Sequence, residues 1–295
     1  MADIDTGLNA WQMTSNHNRM LDFQADATPA AEDGSVELAY FGSSAFRITT
    51  PKGLTVMVDP WRNHPSRHWD WYFHDFPITP VDVGVSTHAH FDHDALHRLD
   101  ASVLLDRLIG TYSFLDLTLH GIADKHAIDS CCAIYDFKKI HKHFHGVDIE
   151  PPNNPRSWDN CLIVIETGGL RILHWGDGRP NPPEEIWDAV GEIDIALLPV
   201  DNSQHVIGFG AVDAIVDKLK PKVIVPHHYY IWDMVQRQST LQTPTDWLDK
   251  YDNVRHLDGP TITYSRSGLD EMDPAIHYFG DHVAFDKEAW FREGR

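Results

Sequence analysis

Val81-Asp82-Val83-Gly84-Val85-Ser86-Thr87-His88-Ala89-His90-Phe91-Asp92-His93 is the stretch that decides how the rest of the chain is read. Val81 to Ser86 has the length and apolar content of a short strand. It runs directly into three histidines and an aspartate within six residues. Imidazole nitrogen and carboxylate oxygen suit zinc and similar divalent ions. His88 and His90 can point one way while Asp92 and His93 turn toward a neighbouring position, so one loop can serve two ions. An isolated His-x-His is ordinary on a polar surface loop, whereas this full spacing behind an apolar strand is not. Asp94 to Leu99 then reads as the first turns of a helix with an acidic cap.

Other segments repeat the pattern of a strand that ends in a chemically able residue. Val36 to Phe41 and Ala45 to Thr50 read as strands around Gly42-Ser43-Ser44. Leu54 to Val58 ends at Asp59-Pro60. Cys161 to Glu166 and Leu170 to Trp175 read as a hairpin about Thr167-Gly168-Gly169, ending at Gly176-Asp177. Ile193 to Val200 ends at Asp201-Asn202. Val212, Ile215, Val216 and Leu219 recur at helical spacing, and Pro221 stops that helix. Val223 to Val225 delivers Pro226-His227-His228-Tyr229. Two blocks of strands interleaved with helices predict an α/β protein, a four-layer αββα sandwich, with residues 1–35 as an N-terminal arm and 36–295 as one catalytic domain. Strand ends are where a rigid scaffold presents chemistry.

Composition narrows the function classes. The 295 residues carry 44 acidic and 24 basic side chains, a formal net charge of -20. Nucleic-acid binding needs the opposite balance, and anionic membrane surfaces are disfavoured as well. The three cysteines, two of them adjacent, form neither a disulfide framework nor a metal-binding spacing. The opening twenty residues show no signal-peptide pattern, and no apolar run reaches the roughly 20 residues needed to span a bilayer. The expectation is a cytoplasmic protein acting on a small-molecule substrate, with a homo-oligomer open. No Ser–His or Cys–His nucleophile motif stands out.

The spacing from His88 to His93 resembles the signature of the metallo-β-lactamase superfamily, and Asp59, Gly176-Asp177 and His228 fall in that family's order. Tyr40-Phe41-Gly42-Ser43-Ser44-Ala45-Phe46, Val58-Asp59-Pro60, His174-Trp175-Gly176-Asp177 and Val225-Pro226-His227-His228-Tyr229 resemble the branch that contains ascorbate-6-phosphate lactonase. The resemblance covers roughly residues 36–230. It implies two divalent ions, zinc by ligand type. His88, His90 and a further histidine hold the first ion, and Asp92, His93 and His228 the second, with Asp177 bridging both. The further histidine should lie between the main motif and Asp177. His141, His143 and His145 all share one face of an extended strand, so periodicity does not choose between them. His145, just before Gly146, is the choice, with His126 an outsider. Of His227 and His228 only one can face the site, and the family pattern selects His228. Asp59 is expected to orient a ligand histidine.

The implied chemistry is hydrolysis by a metal-bound hydroxide, with Asp92 and Asp177 as the catalytic carboxylates. A lactonase or phosphodiesterase is one form of it. A dehalogenase resembling chlorothalonil dehalogenase is another, motivated by Trp69, Trp71, Tyr72, Phe73 and Phe76 in the loop from Trp61 to Pro80, with Trp158 and Trp232; the same aromatics could instead pack that loop onto the protein body. That loop is expected to wall a pocket for an apolar or aromatic substrate. A redox enzyme is disfavoured because the di-iron pattern has Glu where this chain has His90. A non-catalytic binding module is disfavoured because every expected ligand type is present.

Overall fold

The computed structural model describes residues 34–63, 70–127, 160–202, 206–236 and 241–293. The predicted N-terminal arm therefore falls almost wholly outside the described residues, as do Trp69, His141, His143 and His145.

Two sheets form the body. The first has six strands in the order β13-β1-β2-β3-β4-β5. These are β1 (Val36–Tyr40), β2 (Phe46–Thr49), β3 (Thr55–Val58), β4 (Thr79–Ser86), β5 (Leu99–Asp106) and β13 (Thr261–Tyr264). The second has eight in the order β12-β14-β11-β10-β9-β8-β7-β6. Its strands are β6 (Gly110–Phe114), β7 (Leu117–Asp124), β8 (Asn160–Thr167), β9 (Leu170–His174), β10 (Ile195–Pro199), β11 (Val223–His227), β12 (Val254–His256) and β14 (Ala275–Tyr278). The C-terminal strands thus complete both sheets, although the family resemblance read from sequence stops near residue 230.

Alternation along the strands divides the apolar side chains between two cores. Ile163, Ile165, Ile172, Leu197, Val223 and Val225 face the first sheet, against Leu38, Phe46, Val56 and Val83. Leu162, Val164, Leu173, Ala196, Leu198 and Ile224 face outward. Helices α1 (Glu184–Val190), α2 (Phe209–Leu219) and α3 (Thr245–Leu248) cover that outer face. Ile186, Val190, Val212, Ile215, Trp247 and Leu248 are the side chains they bury there. Among the described residues, no helix is long and apolar enough to cross a membrane.

Parallel pairing positions the functional edge. β3 runs parallel to β4 in the first sheet, and β9, β10 and β11 run parallel to one another in the second. Parallel strands share an end, so the residues that follow β3, β4, β9, β10 and β11 emerge at a common edge of the sandwich.

Two sequence expectations change. The helix expected over 94–99 is a single 3-10 turn, Leu96–Arg98, after which the chain re-enters the sheet as β5. Asp94 does not cap it; both its oxygens bind Arg62, at 2.8 and 3.1 Å. The aromatic loop after Asp59 is largely structural. Trp61, Tyr72 and Phe76 are fully buried in the core, and Trp61 stacks on Tyr72 at 4.3 Å between ring centroids. Trp71 remains partly buried and meets Phe91 edge-on at 5.2 Å.

Gly121, in β7, lies so close to the neighbouring chain that an added Cβ would sit 1.9 Å from the Leu108 carbonyl oxygen. Gly210, inside α2, has nothing within 4 Å of that position. Gly121→Ala is expected to lose on the order of 1–3 kcal/mol. Gly210→Ala is expected to gain about 0.5–1 kcal/mol. Thermal unfolding of the two variants checks both signs.

Candidate metal centre

Each functional side chain is carried by a strand end. His88, His90, Asp92 and His93 follow β4, in a turn closed by the His93 amide donating to the His90 carbonyl at 2.9 Å. Asp177 follows β9 after Gly176, whose φ of 56° favours glycine. A Cβ at Gly176 would lie 2.8 Å from Thr87 side-chain atoms, so only glycine lets the two loops touch. His228 follows β11 at φ 60°, and its amide donates to the Ser43 carbonyl at 2.7 Å. His126 stands two residues past β7, bridged to Gly178 beside Asp177. The fully buried Asp124 ties this strand to the Asp177 loop through Arg179, at 2.6 Å.

These residues form two groups that share Asp177. One is His88, His90, His126 and Asp177; the other is Asp92, His93, Asp177 and His228. Within each, one ligand atom per residue lies within 4.8 Å of all the others. Asp177 Oδ2 is 3.7 Å from His88 Nε2, 3.4 Å from His126 Nε2 and 3.8 Å from His228 Nε2. Its Oδ1 is 3.4 Å from His93 Nε2. Asp92 Oδ2 lies 3.2 Å from His228 Nε2.

Asp177 is completely buried, yet neither carboxylate oxygen has a hydrogen-bond partner among the described residues, and neither does His93 Nε2. Buried carboxylates are normally satisfied by donors or by cations. Converging imidazole and carboxylate atoms left in this state fit divalent cations, and the cluster is able to bind metal ions.

A surrounding layer aims the rings. Asp59 Oδ2 holds His93 Nδ1 at 2.8 Å, which turns Nε2 toward the group. The same carboxylate accepts from the Thr87 amide and hydroxyl, each at 2.7 Å. Asp59 therefore orients a histidine, as the sequence led us to expect. Asp201 does the same for His228 Nδ1 at 3.1 Å, a partner the sequence reading did not assign. His227 faces the other way, stacked on His174 at 4.8 Å, with Nδ1 3.1 Å from the Ser44 hydroxyl.

His126, the outsider among the candidates for the further histidine, stands in the group with His88, His90 and Asp177. The signal for it was present in Leu117-Thr118-Leu119-His120-Gly121-Ile122-Ala123-Asp124, an alternating strand with His126 just past its end. His145 itself lies outside the described residues.

Burial, and next the neighbouring His93, hold the His88 imidazole well below its usual range. For His228 burial opposes the charge, but Asp177, Asp201 and Asp92 outweigh it and hold the ring up at about 10. Burial likewise opposes the charge on Asp177, but His228 and His93 hold that carboxyl well below its usual range.

Two sheets face to face, with a histidine–aspartate cluster at the shared ends of their parallel strands, define the metallo-β-lactamase fold. Residues 37–228 match the family model described as the beta-lactamase superfamily domain. The chain belongs to the metallo-β-lactamase superfamily and, within it, to the UPF0173 metal-dependent hydrolase family. A relative of that name from Thermodesulfovibrio yellowstonii is 37% identical over 229 residues, covering 70% of this chain and 83% of its own. One from Polynucleobacter asymbioticus is 25% identical over 227 residues, covering 70% and 78%. A solved metallo-β-lactamase superfamily structure from Thermotoga maritima superposes with a TM-score of 0.56 at 21% identity, over 82% of this chain and 98% of that one.

A pH dependence follows for protein stripped of metal. A raised histidine contributes stability that is fully present below its unfolded value of 6.5 and lost as pH rises through the folded value of about 10. The lowered Asp177 adds stability above the ordinary carboxylate range that is lost only in strong acid. The melting temperature of metal-free protein should therefore fall between pH 6.5 and 10, and His228→Gln should flatten that fall. A melting temperature constant across this window would contradict the assignment.

Proposed function

We propose that this protein is a hydrolase using two divalent cations, zinc by ligand type, on a small, apolar or aromatic substrate. The observation that carries the proposal is Asp177, buried between two convergent groups of side chains with neither oxygen hydrogen-bonded among the described residues. His88, His90 and His126 would hold the first cation, Asp92, His93 and His228 the second, and Asp177 would reach both. Divalent ions so held lower the pKa of a water from about 15.7 toward 7 and polarise the bond under attack.

The chain's own residues do the rest. Asp92 is kept ionised: burial opposes its charge, but His93 and His228 outweigh that effect. Its carboxylate therefore stays charged, able to hold a cation and to orient a nucleophilic water. Asp59 and Asp201 keep His93 and His228 in single orientations, so little reorganisation accompanies reaction.

The apolar substrate rests on what borders the cluster. Phe91, within the motif itself, is backed edge-on by Trp71. Arg62 and Arg67 are the candidate partners for a phosphate; the Arg62 guanidinium is spent on Asp94 and the Asn63 carbonyl, and Arg67 lies outside the described residues. This favours a neutral ring or lactone, the halo-aromatic reading included, over a phosphodiester.

Elemental analysis should find close to two metal ions per chain, and chelation should remove them together with activity. A panel of lactone, halo-aromatic and phosphodiester substrates should give turnover on the first two. Full activity in metal-free protein would end the proposal. His126→Ala should lower metal content by about one ion, while His145→Ala should leave it unchanged; the reverse result would return the role to His145.

A further inference from the structure

Tyr72 belongs to an irregular segment, yet its placement is over-determined. Asn63 pairs with its backbone twice, accepting from the Tyr72 amide at 2.9 Å and donating to its carbonyl at 3.0 Å. Gln236 Nε2 donates to the same carbonyl at 2.9 Å, and Tyr72 bridges Val235. Its ring is fully buried on Trp61. All of this fixes one polar atom, the phenol oxygen, which donates to the Ser43 hydroxyl at 2.8 Å.

Ser43 is an unusual residue to find at that point. It takes φ 52°, a left-handed conformation that non-glycine residues rarely adopt. Its carbonyl accepts from the Tyr40 hydroxyl at 3.0 Å and from the His228 amide at 2.7 Å. His228 is itself left-handed, at φ 60°. Two strained residues from different sheets are thus joined by one hydrogen bond. Such strain persists only where the surroundings over-determine it. At Ser43 those surroundings include two tyrosine hydroxyls.

We propose that Tyr72 is a positioning residue for the group formed by Asp92, His93, Asp177 and His228, acting through Ser43 on the backbone of His228. The proposal rests on the reading of that group as a cation site. Ser43 is bonded to His228, which belongs to one group alone, so the effect falls on that one of the two cation positions. Burial keeps the phenol protonated throughout the working pH range, so it remains a hydrogen-bond donor. The linkage also ties the aromatic segment that borders the cluster to the geometry of one cation.

The test is calorimetric titration of the metal-free full chain with Zn2+, and with Co2+ for its absorption spectrum, in wild type, Tyr72→Phe, Ser43→Ala and the double variant. Wild type should take up two ions in separable steps. Tyr72→Phe should weaken one step by about 10-fold, as loss of a group supporting a ligand does, and alter the Co2+ spectrum at that step alone. The double variant should be no weaker than Ser43→Ala, because both substitutions break the same link. Unchanged affinity and spectrum in Tyr72→Phe would overturn the proposal. So would equal weakening of both steps alongside a lower melting temperature, the outcome of a purely structural tyrosine. Failure of wild type to bind two ions would instead refute the cation reading itself.

Discussion

Burying the Asp177 carboxylate with neither oxygen hydrogen-bonded among the described residues takes a charge out of water at a cost that nearby positive charge offsets. In the protein alone that charge comes from His93 and His228, which burial would otherwise leave neutral. Those two histidines in turn need Asp59 and Asp201 on their far nitrogens. One unsatisfied carboxylate therefore accounts for a further pair of buried aspartates and for the precision with which five strand ends must meet. Metal ions bound there would supply the same compensation without requiring the rings to be protonated, since a ligating imidazole is neutral.

Part of the strain in the backbone lies where those ends meet. Asp59, Ser43 and His228 all adopt positive φ, at 53°, 52° and 60°. Each turns the chain sharply as it leaves the sandwich, and each is held by a hydrogen bond reaching another loop: Asp59 to Thr87, Ser43 to Tyr72, His228 to Asp201. A large core gives the surplus stability that lets such conformations survive. The two faces of the eight-stranded sheet supply it, packed on the first sheet on one side and on α1, α2 and α3 on the other.

The segment from Trp61 to Pro80 divides its aromatics between two roles. Trp61, Tyr72 and Phe76 join Phe41 and Trp290 in the core, where their area contributes to stability. Trp71 stays near the cluster, against Phe91. Anchoring three rings inside is what allows a long irregular segment to present a fourth in a defined place, and it makes this edge of the protein apolar beside a highly charged interior.

Much of this was legible in the chain itself. A strand followed at once by His88, His90, Asp92 and His93, and further strands ending at Asp59, Asp177 and His228, are local patterns with a local cause: side-chain alternation and the chemistry of imidazole and carboxylate. The two-sheet architecture followed from the same strands. Local pattern failed where the deciding contact is distant in sequence. Residues 94–99 have helical character, but Arg62 takes the carboxylate of Asp94 and pairing with β4 draws Leu99 into a strand. Trp61, Tyr72 and Phe76 read as a pocket wall because nothing nearby in sequence announces the core that receives them. His126 was passed over for His145 because periodicity reports which face of a strand a residue occupies, not what lies opposite its end. Pairing across the sheet brings His126 to the cluster: β7 pairs with β8, β8 with β9, and Asp124 is bound to Arg179, so the residue just past β7 arrives beside Asp177. The sequence by itself determined which chemistry the protein carries and the sheets that bear it. The long-range register of the strands brought His126 beside Asp177, because only that register converts separation along the chain into distance in space.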